Sequence, residues 1–498
     1  MYPSKSELEQ YKTAGYSLCP VAAELLSDMI TPIMLLAALK RISSHCYILE
    51  SVEGSSSAEP EFWGRYTFLG YDPSLDIVAK DGTVLLKDAE GKVLEQHQGV
   101  HPDTLIRRVL AERRSPAVPG LPPFTGGLVG YFGYDYIKYN EPKLKLDASD
   151  NDGFQDLDLM LFDRVFAFDN LLQKLFLIVN VDLKDLDASC ARAEEELSKM
   201  KKIVFGAGGE GLMRTECSVK NMKPLFDEAE FCSMVEKAKK YIYEGDIFQV
   251  VLSNRLEADF EGDLFPVYRM LRTVNPSPYM FYFSGDEIEA AGASPETLVK
   301  LENGVLHTFP LAGTRPRGKN EEEDRALEKE LLADEKERAE HNMLVDLGRN
   351  DLGKISEFGS VEVEKYMGIE RFSHVMHIGS TVRGRLKEGF SAVDAVNAVL
   401  PAGTLSGAPK IRACEIINEL EDNKRGIYGG AVGYLDLTGN LDTCIAIRLA
   451  YRKNGKIFVR SGAGIVADSV PASEYRECIN KAKAVMISVE KANGLSDR

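Results

Sequence analysis

GGAVGYLDLTGNLDTCIAIRLAYRKNGKIFVRSGAG, residues 429–464, carries most of what the sequence says about architecture. Gly429 to Leu435, Thr443 to Tyr451 and Lys456 to Arg460 are apolar, β-prone runs separated by short polar breaks, and they predict a three-strand meander. Ser461-Gly462-Ala463-Gly464 then reads as a Gly-rich turn, and Pro471 opens a last helix to about Ala492. Toward the N-terminus, helices are expected over 408–421 and 391–399, in a highly charged run from about 321 to 347, and over 225–243. Strand-like runs fall at 305–311, 287–293, 279–284 and 247–255. Helices alternate with hairpins more than with single strands, so the expectation is an α+β fold of antiparallel sheets, not a doubly wound parallel one.

The first 205 residues are strand-rich. Thr31-Pro32 opens a helix to about Arg41, and strands are expected at Cys46 to Ser51, Tyr66 to Tyr71, Thr83 to Lys87 and Gly126 to Asp135. Leu161 to Phe168 and Lys174 to Val181 flank a turn near Asp169-Asn170, which predicts a hairpin. A polar helix, Asp187 to Lys202, leads to Gly206 to Gly211. These features predict an N-terminal domain over 1–205, a linker over 206–224 and a catalytic domain over 225–498.

With 44% hydrophobic and 28% charged residues, the 498-residue chain has a globular composition that excludes disorder as its main theme. A net charge of −17 with no gathering of Lys and Arg disfavours nucleic acid as a partner. Any anionic ligand must be held locally, by a few Arg or Lys, backbone N–H groups or a metal ion. Eight scattered cysteines without a C-x-x-C pair read as reduced, mostly buried thiols. The longest apolar stretch, Ile33 to Leu39, is too short to span a bilayer, so a cytoplasmic protein with no membrane partner is expected.

Two glycine motifs mislead. Gly206 to Gly211 matches G-x-G-x-x-G, but Leu212 to Lys220 lacks the helical apolar period that a dinucleotide site needs. Gly313 to Lys319 nearly spells a P-loop, yet Asn320 stands where the Mg²⁺-binding hydroxyl belongs and Pro316 removes an N–H donor.

Glu337 with Glu340, and Glu474 with Glu477, each place two carboxylates on one helix face. Such pairs are common on solvated faces. Here the first helix turns apolar after Glu340 and the second starts beside the Gly-rich turn, which favours convergence on a divalent cation such as Mg²⁺. Arg448, in an apolar strand, needs a carboxylate partner, either structural or a ligand. His374 and His377 could serve as acid or base, or be satisfied core residues, and spacing alone does not choose.

These blocks together resemble the chorismate-utilising enzymes, and within them the large subunits of anthranilate synthases. The resemblance runs from about Tyr16 to Ala492 and is carried by Gly245–Gln249, Ala293–Thr297, Pro310–Pro316, Glu340–Leu347, Leu405–Lys410 and Gly462–Val466. It implies large antiparallel sheets with helices outside and two intertwined subdomains. It also implies Mg²⁺-dependent amination of chorismate by ammonia, then elimination of pyruvate to give anthranilate. By motif, Glu340 and Glu477 would ligate Mg²⁺, with Glu337 and Glu474 assisting through water. Gly462, Ala463 and Gly464 would donate backbone N–H groups, Tyr428 and Arg448 would hold the enolpyruvyl carboxylate, and Gly313 and Thr314 would contact substrate.

The same resemblance makes Glu296 the general acid, with His377 assisting the elimination and Thr404 bonding near the leaving group. Ala312 and Gln249 stand where aminodeoxychorismate synthases and water-using relatives, respectively, carry lysine, so both alternatives are disfavoured. A catalytically silent tryptophan sensor is a further alternative, disfavoured because the Glu, His and Gly positions are all present. No amidotransferase is recognisable in the chain, so a separate glutamine amidotransferase subunit, and a hetero-oligomer, are implied. Leu49-Glu50-Ser51 and Asn275 to Met280 resemble a tryptophan-feedback element, with tryptophan between Ser51 and Pro278, Tyr279 and Met280.

Overall fold

The structure is a computed structural model that describes residues 1–51, 64–208, 217–372 and 375–493. Two 12-stranded antiparallel sheets dominate it. The first runs, edge to edge, through Leu18–Leu26, Lys174–Asp182, Arg164–Asp169, Tyr66–Tyr71, Cys46–Glu50, Tyr279–Ser284, Glu289–Ser294, Leu449–Lys453, Lys456–Ile465, Gln249–Gly262 and Cys217–Pro224, and its twelfth strand, Gly407–Ala408, pairs with Gln249–Gly262 off this path. The second runs through Leu311–Pro316, Val375–Arg385, Val305–Thr308, Thr297–Glu302, Leu441–Ile445, Ala431–Asp436, Gly127–Phe132, Leu157–Phe162, Leu75–Lys80, Thr83–Asp88 and Val93–Gln98, and its twelfth strand, Glu362–Arg371, pairs with Val375–Arg385 off this path. Apolar faces of both, including Phe68 and Phe281 from one and Leu128 and Leu159 from the other, share one core. Helices Pro32–Ile42, Leu186–Gly206, Phe265–Val274 and Pro471–Ala492 cover the outside of the first sheet over a second core. The α+β expectation is met, and strands from before residue 205 and after 225 share both sheets.

The decisive stretch departs from a simple meander. The run 443–451 is two strands, Leu441–Ile445 in the second sheet and Leu449–Lys453 in the first, and the chain changes sheets at 446–448. Arg448 sits at that break with φ of 54°, so it is not a strand residue. Likewise 161–168 splits at Asp163 into Leu157–Phe162 and Arg164–Asp169, one strand for each sheet. Ser461–Gly464 is no turn but the end of strand Lys456–Ile465, paired with Gln249–Gly262. The charged helix is two, Glu321–Ala333 and Glu335–Gly353, because the Asp334 carboxylate caps the second by accepting from the N–H groups of Lys336 and Glu337. The 305–311 run likewise divides into Val305–Thr308 and the start of Leu311–Pro316. The expected linker ends in strand Cys217–Pro224, which covers an edge of the first sheet, while its Gly209 to Gly211 lie outside the described residues, as does His374.

Candidate active site

Two crossings between the sheets meet and bond to each other. The chain passes from Glu289–Ser294 to Thr297–Glu302 through Pro295 and Glu296, and from Leu441–Ile445 to Leu449–Lys453 through Arg448. Ile445 N–H donates to the Glu296 carbonyl (2.9 Å), Ala293 N–H to the Arg448 carbonyl (3.0 Å), and the Ser294 hydroxyl to the Ile445 carbonyl (2.7 Å). Each crossing thereby delivers one charged side chain to a cleft of about 1200 Å³. Glu296, Gly313, Thr314, Glu337, Glu340, His377, Thr404, Tyr428, Arg448, Gly462, Gly464, Glu474 and Glu477 all line it.

Burial pushes the Glu296 carboxyl up to about 7, against a hydrogen bond from the Thr404 hydroxyl (3.2 Å) that lowers it. A carboxyl so tuned is protonated near neutrality and can give its proton to a leaving group. The His377 imidazole is held below its ordinary value by burial. Its Nδ1 lies 2.7 Å from the Gly313 carbonyl, which accepts only from an N–H, so Nδ1 carries the proton and Nε2 is left as the basic nitrogen. Gly313 has φ of +63°, and a Cβ there would meet Leu331 at 2.8 Å and the Glu337 carboxylate at 3.2 Å, which explains the glycine.

Strand Lys456–Ile465 exposes an edge because Leu449–Lys453 pairs with it only as far as Val459. Opposite Gly464 and Gly462, Val251 and Ser253 turn their own N–H groups away, to the Ser406 carbonyl (2.9 Å) and the Glu421 carboxylate (2.7 Å). Those pairs are therefore the non-hydrogen-bonded ones, and Gly462 and Gly464 direct their N–H groups to the open edge. The Gly462 carbonyl, on the same side, accepts from Lys481 Nζ at 3.2 Å. Ala463 faces its ladder partner Leu252 and is wholly buried, so it joins the core, not the cleft, and the expected N–H donation from it does not fit this register. A Cβ on Gly462 would lie 2.7 Å from the Leu252 carbonyl and 3.1 Å from the Tyr428 hydroxyl.

Among the described residues Arg448 forms no ion pair. Its Nη1 donates to the Lys481 carbonyl (2.6 Å), burial lowers its pKa, and no described side chain supplies the expected carboxylate partner. Across the cleft, burial raises the Glu340 carboxyl and Glu337 adds repulsion, while burial also raises Glu474. Glu477 pairs with Lys481 at 2.6 Å. Among the described residues no three His, Cys, Asp or Glu side chains close on a metal position by themselves.

A second cavity, of about 520 Å³, is lined by Ser51, Pro278, Tyr279 and Met280 together with Tyr66, Phe68, Tyr434 and Asp442. The Ser51 hydroxyl, shielded from solvent, has no hydrogen-bond partner among the described residues. The Tyr279 hydroxyl donates to Asp442 (2.7 Å) and lies 3.0 Å from the Thr297 hydroxyl, next to Glu296 in the chain.

The sequence pattern of the chorismate binding enzymes matches residues 45–487. The chain belongs to the chorismate-binding enzyme family. Relatives in this family include anthranilate synthase component 1 of Acetivibrio thermocellus, 44% identical over 498 residues and 99% of each chain, and that of Acinetobacter calcoaceticus, 46% identical over 503 residues and 99% of each. The crystal structure of anthranilate synthase component I from Streptococcus pneumoniae superposes with a TM-score of 0.76 at 38% identity, covering 93% of this chain and 98% of that one. The menaquinone-specific isochorismate synthase of Escherichia coli shares the fold at TM-score 0.69 and 18% identity, over 97% of this chain and 98% of that one. The protein is thus an enzyme of the chorismate-binding family.

The cleft also holds residues to which sequence reasoning gave no role. Lys481, four residues after Glu477, was detectable as an i,i+4 partner on the same helix face. Arg460 is wholly buried and reaches the cleft, and nothing in the strand run Lys456 to Arg460 marks it as interior. Among the described residues no helix is long and apolar enough to cross a membrane.

Proposed function

We propose that the protein is the large subunit of an anthranilate synthase, aminating chorismate with ammonia and eliminating pyruvate. The single observation that carries this reading is the cleft itself. It sets an acid tuned to about 7, a basic imidazole nitrogen, an arginine with no carboxylate partner among the described residues and two outward glycine N–H groups around one cavity. A dianionic ring bearing a hydroxyl leaving group needs these parts.

Arg448 and the Tyr428 hydroxyl would hold the enolpyruvyl carboxylate, and Gly462 and Gly464 would donate to the substrate. Ammonia adds at C2, the ring double bonds shift, and the C4–O bond breaks while Glu296 protonates the departing hydroxyl, which leaves as water; the ammonium formed at C2 then gives up one proton, restoring the Glu296 acid directly or through water. His377 Nε2 would then take the C2 proton as the enolpyruvyl C–O bond breaks, releasing pyruvate and making the ring aromatic.

Mg²⁺ fits the donor set: hard carboxylates on two helices face one cleft, and it needs only one or two of them besides water and substrate oxygens. Glu340 and Glu477 would hold it, with Glu337 and Glu474 assisting through water, and the bound ion supplies charge neutralisation at the ring carboxylate. The raised Glu340 carboxyl, half-buried and repelled by Glu337 and Glu477, supports a cation there.

Ala312 offers no nucleophile to the ring, which supports ammonia as the attacking species, supplied by a glutamine amidotransferase subunit in a hetero-oligomer. The second cavity, lined by Ser51 and walled by Tyr66, Phe68, Tyr279, Phe281 and Tyr434, supports tryptophan as feedback inhibitor. Incubation with chorismate, Mg²⁺ and ammonium tests the reading. Fluorescent anthranilate and pyruvate are expected. A non-aromatic amino product without pyruvate would instead mark an aminodeoxychorismate synthase, and tryptophan binding without turnover a silent sensor.

A further inference from the structure

We propose that Arg425, locked by Glu421, is a positioning residue for the general acid: it fixes the Gly403–Leu405 turn so that the Thr404 hydroxyl stays on Glu296. This rests on Glu296 being the acid, as read above.

Arg425 and Glu421 are each 2% exposed. Arg425 Nε and Nη2 bond to the two oxygens of Glu421 (3.0 and 2.6 Å), and its guanidinium stacks on the Tyr134 ring at 4.5 Å. Nη1 and the second Nη2 hydrogen go to two carbonyls, Leu405 (2.6 Å) and Val251 (2.7 Å), both on residues that line the cleft. Glu421 is fixed in turn by Ser253 N–H (2.7 Å), the Ser253 hydroxyl (2.9 Å) and Arg460 Nη2 (2.8 Å).

A buried ion group of this kind is seldom more stabilising than apolar side chains of the same volume, so its retention calls for another account. Its distinctive output is geometric. The three-residue turn carrying Thr404 is otherwise tied locally, through Ser406 N–H and its hydroxyl to the Ala402 carbonyl (3.0 and 2.9 Å), and to Val251 N–H through the Ser406 carbonyl (2.9 Å). Arg425 grips both sides of that last contact, through the carbonyls of Val251 and of Leu405, the residue before Ser406. The Thr404 to Glu296 bond is already 3.2 Å, so a small displacement of the turn breaks it. Thr404 donates to Oε1 and thereby keeps the acid proton on the other oxygen. Its loss lets the carboxyl rotate and removes an interaction that favours the carboxylate, so the Glu296 pKa rises further.

The test measures ammonium-dependent turnover against pH for the wild type, Thr404→Val, Arg425→Lys and the double variant. Lysine keeps the charge but cannot reach two carbonyls and a carboxylate as the planar fork does. Each single variant should lower kcat by about tenfold, leave KM for chorismate within about twofold, and move the alkaline limb of the profile to higher pH. The double variant should be no worse than Thr404→Val alone. Additive losses, an unmoved limb, or a change confined to KM would overturn the proposal. Glu421→Gln, which loosens the same guanidinium, replaces Arg425→Lys in the cycle if that variant does not fold. Glu296→Gln run alongside separates two failures. Full turnover in it removes the acid assignment, whereas its inactivity with an unmoved limb in Arg425→Lys removes only the positioning role.

Discussion

Replacing Glu296 by Gln should raise stability and destroy activity together, each with its own pH signature. The carboxyl ionises near 7 in the fold against an ordinary 4.5. A displacement of that size corresponds to about 3 kcal/mol between the protonation states. A raised folded pKa means that the unfolded chain loses its proton first, so stability falls as pH climbs from 4.5 and the penalty is complete above 7. Gln keeps the shape and can still accept from Thr404, but carries no charge to desolvate. The variant should match the wild type near about pH 4 and exceed it by up to about 3 kcal/mol near about pH 8. Turnover should fall by about 10²–10⁴-fold, the usual contribution of a positioned acid. Thermal unfolding of both proteins across that range, with anthranilate fluorescence as the rate assay, gives both readouts. A stability difference that does not grow with pH would refute the burial argument, and retained turnover would refute the role.

Gly462→Ala sets a methyl group 2.7 Å from a backbone carbonyl that cannot yield, so a loss of about 1–3 kcal/mol in chemical denaturation is expected, with a raised KM for chorismate. Arg448→Lys should raise KM by about tenfold or more while kcat changes less, because a point charge replaces a fork matched to a carboxylate; steady-state kinetics decides. Ser51→Phe fills the second cavity and should abolish tryptophan inhibition with uninhibited turnover largely intact, which a tryptophan titration of the rate checks. Chelation of divalent cations should abolish turnover, and added Mg²⁺ should restore it in the rate assay.

The parts of the site that the sequence discloses are those in which a short block holds its own chemistry. Glu340, Glu477, Gly462 and Glu296 each sit in such a block, and all line one cleft. Sheet membership is different. Thr443 to Tyr451 is one apolar run because each half is buried in its own sheet, and period-2 patterning does not say which sheet buries it. Arg448 is the sole discordant residue in that run, and it marks the crossing. Asp163 plays the same part in 161–168, where the charged pair Asp163-Arg164 between two apolar stretches is the only trace of a change of sheet. The break at Asp334 is invisible for the opposite reason, since a capping carboxylate is lost among so many charges. Buried Arg425 and Arg460 escape notice because charged side chains are normally read as surface.

Why the chemistry sits at the crossings follows from the hydrogen bonds. Inside either sheet, Glu296 and Arg448 would be ladder residues with side chains committed to one face. At a crossing the backbone is free of one ladder before it enters the next, so a side chain can be aimed into the gap between sheets. The cost is unpaired backbone, and the two crossings meet it for each other through Ile445 to Glu296 and Ala293 to Arg448. Glu296 and Arg448, the proposed acid and anion-binding cation, are therefore set against each other by main-chain bonds rather than by flexible side chains. The same segment extends to the second cavity, where Tyr279 bonds Asp442 and approaches Thr297. A ligand there that displaced Tyr279 would act on the residue next to Glu296, so the two cavities share one mechanical element although they share no lining residue.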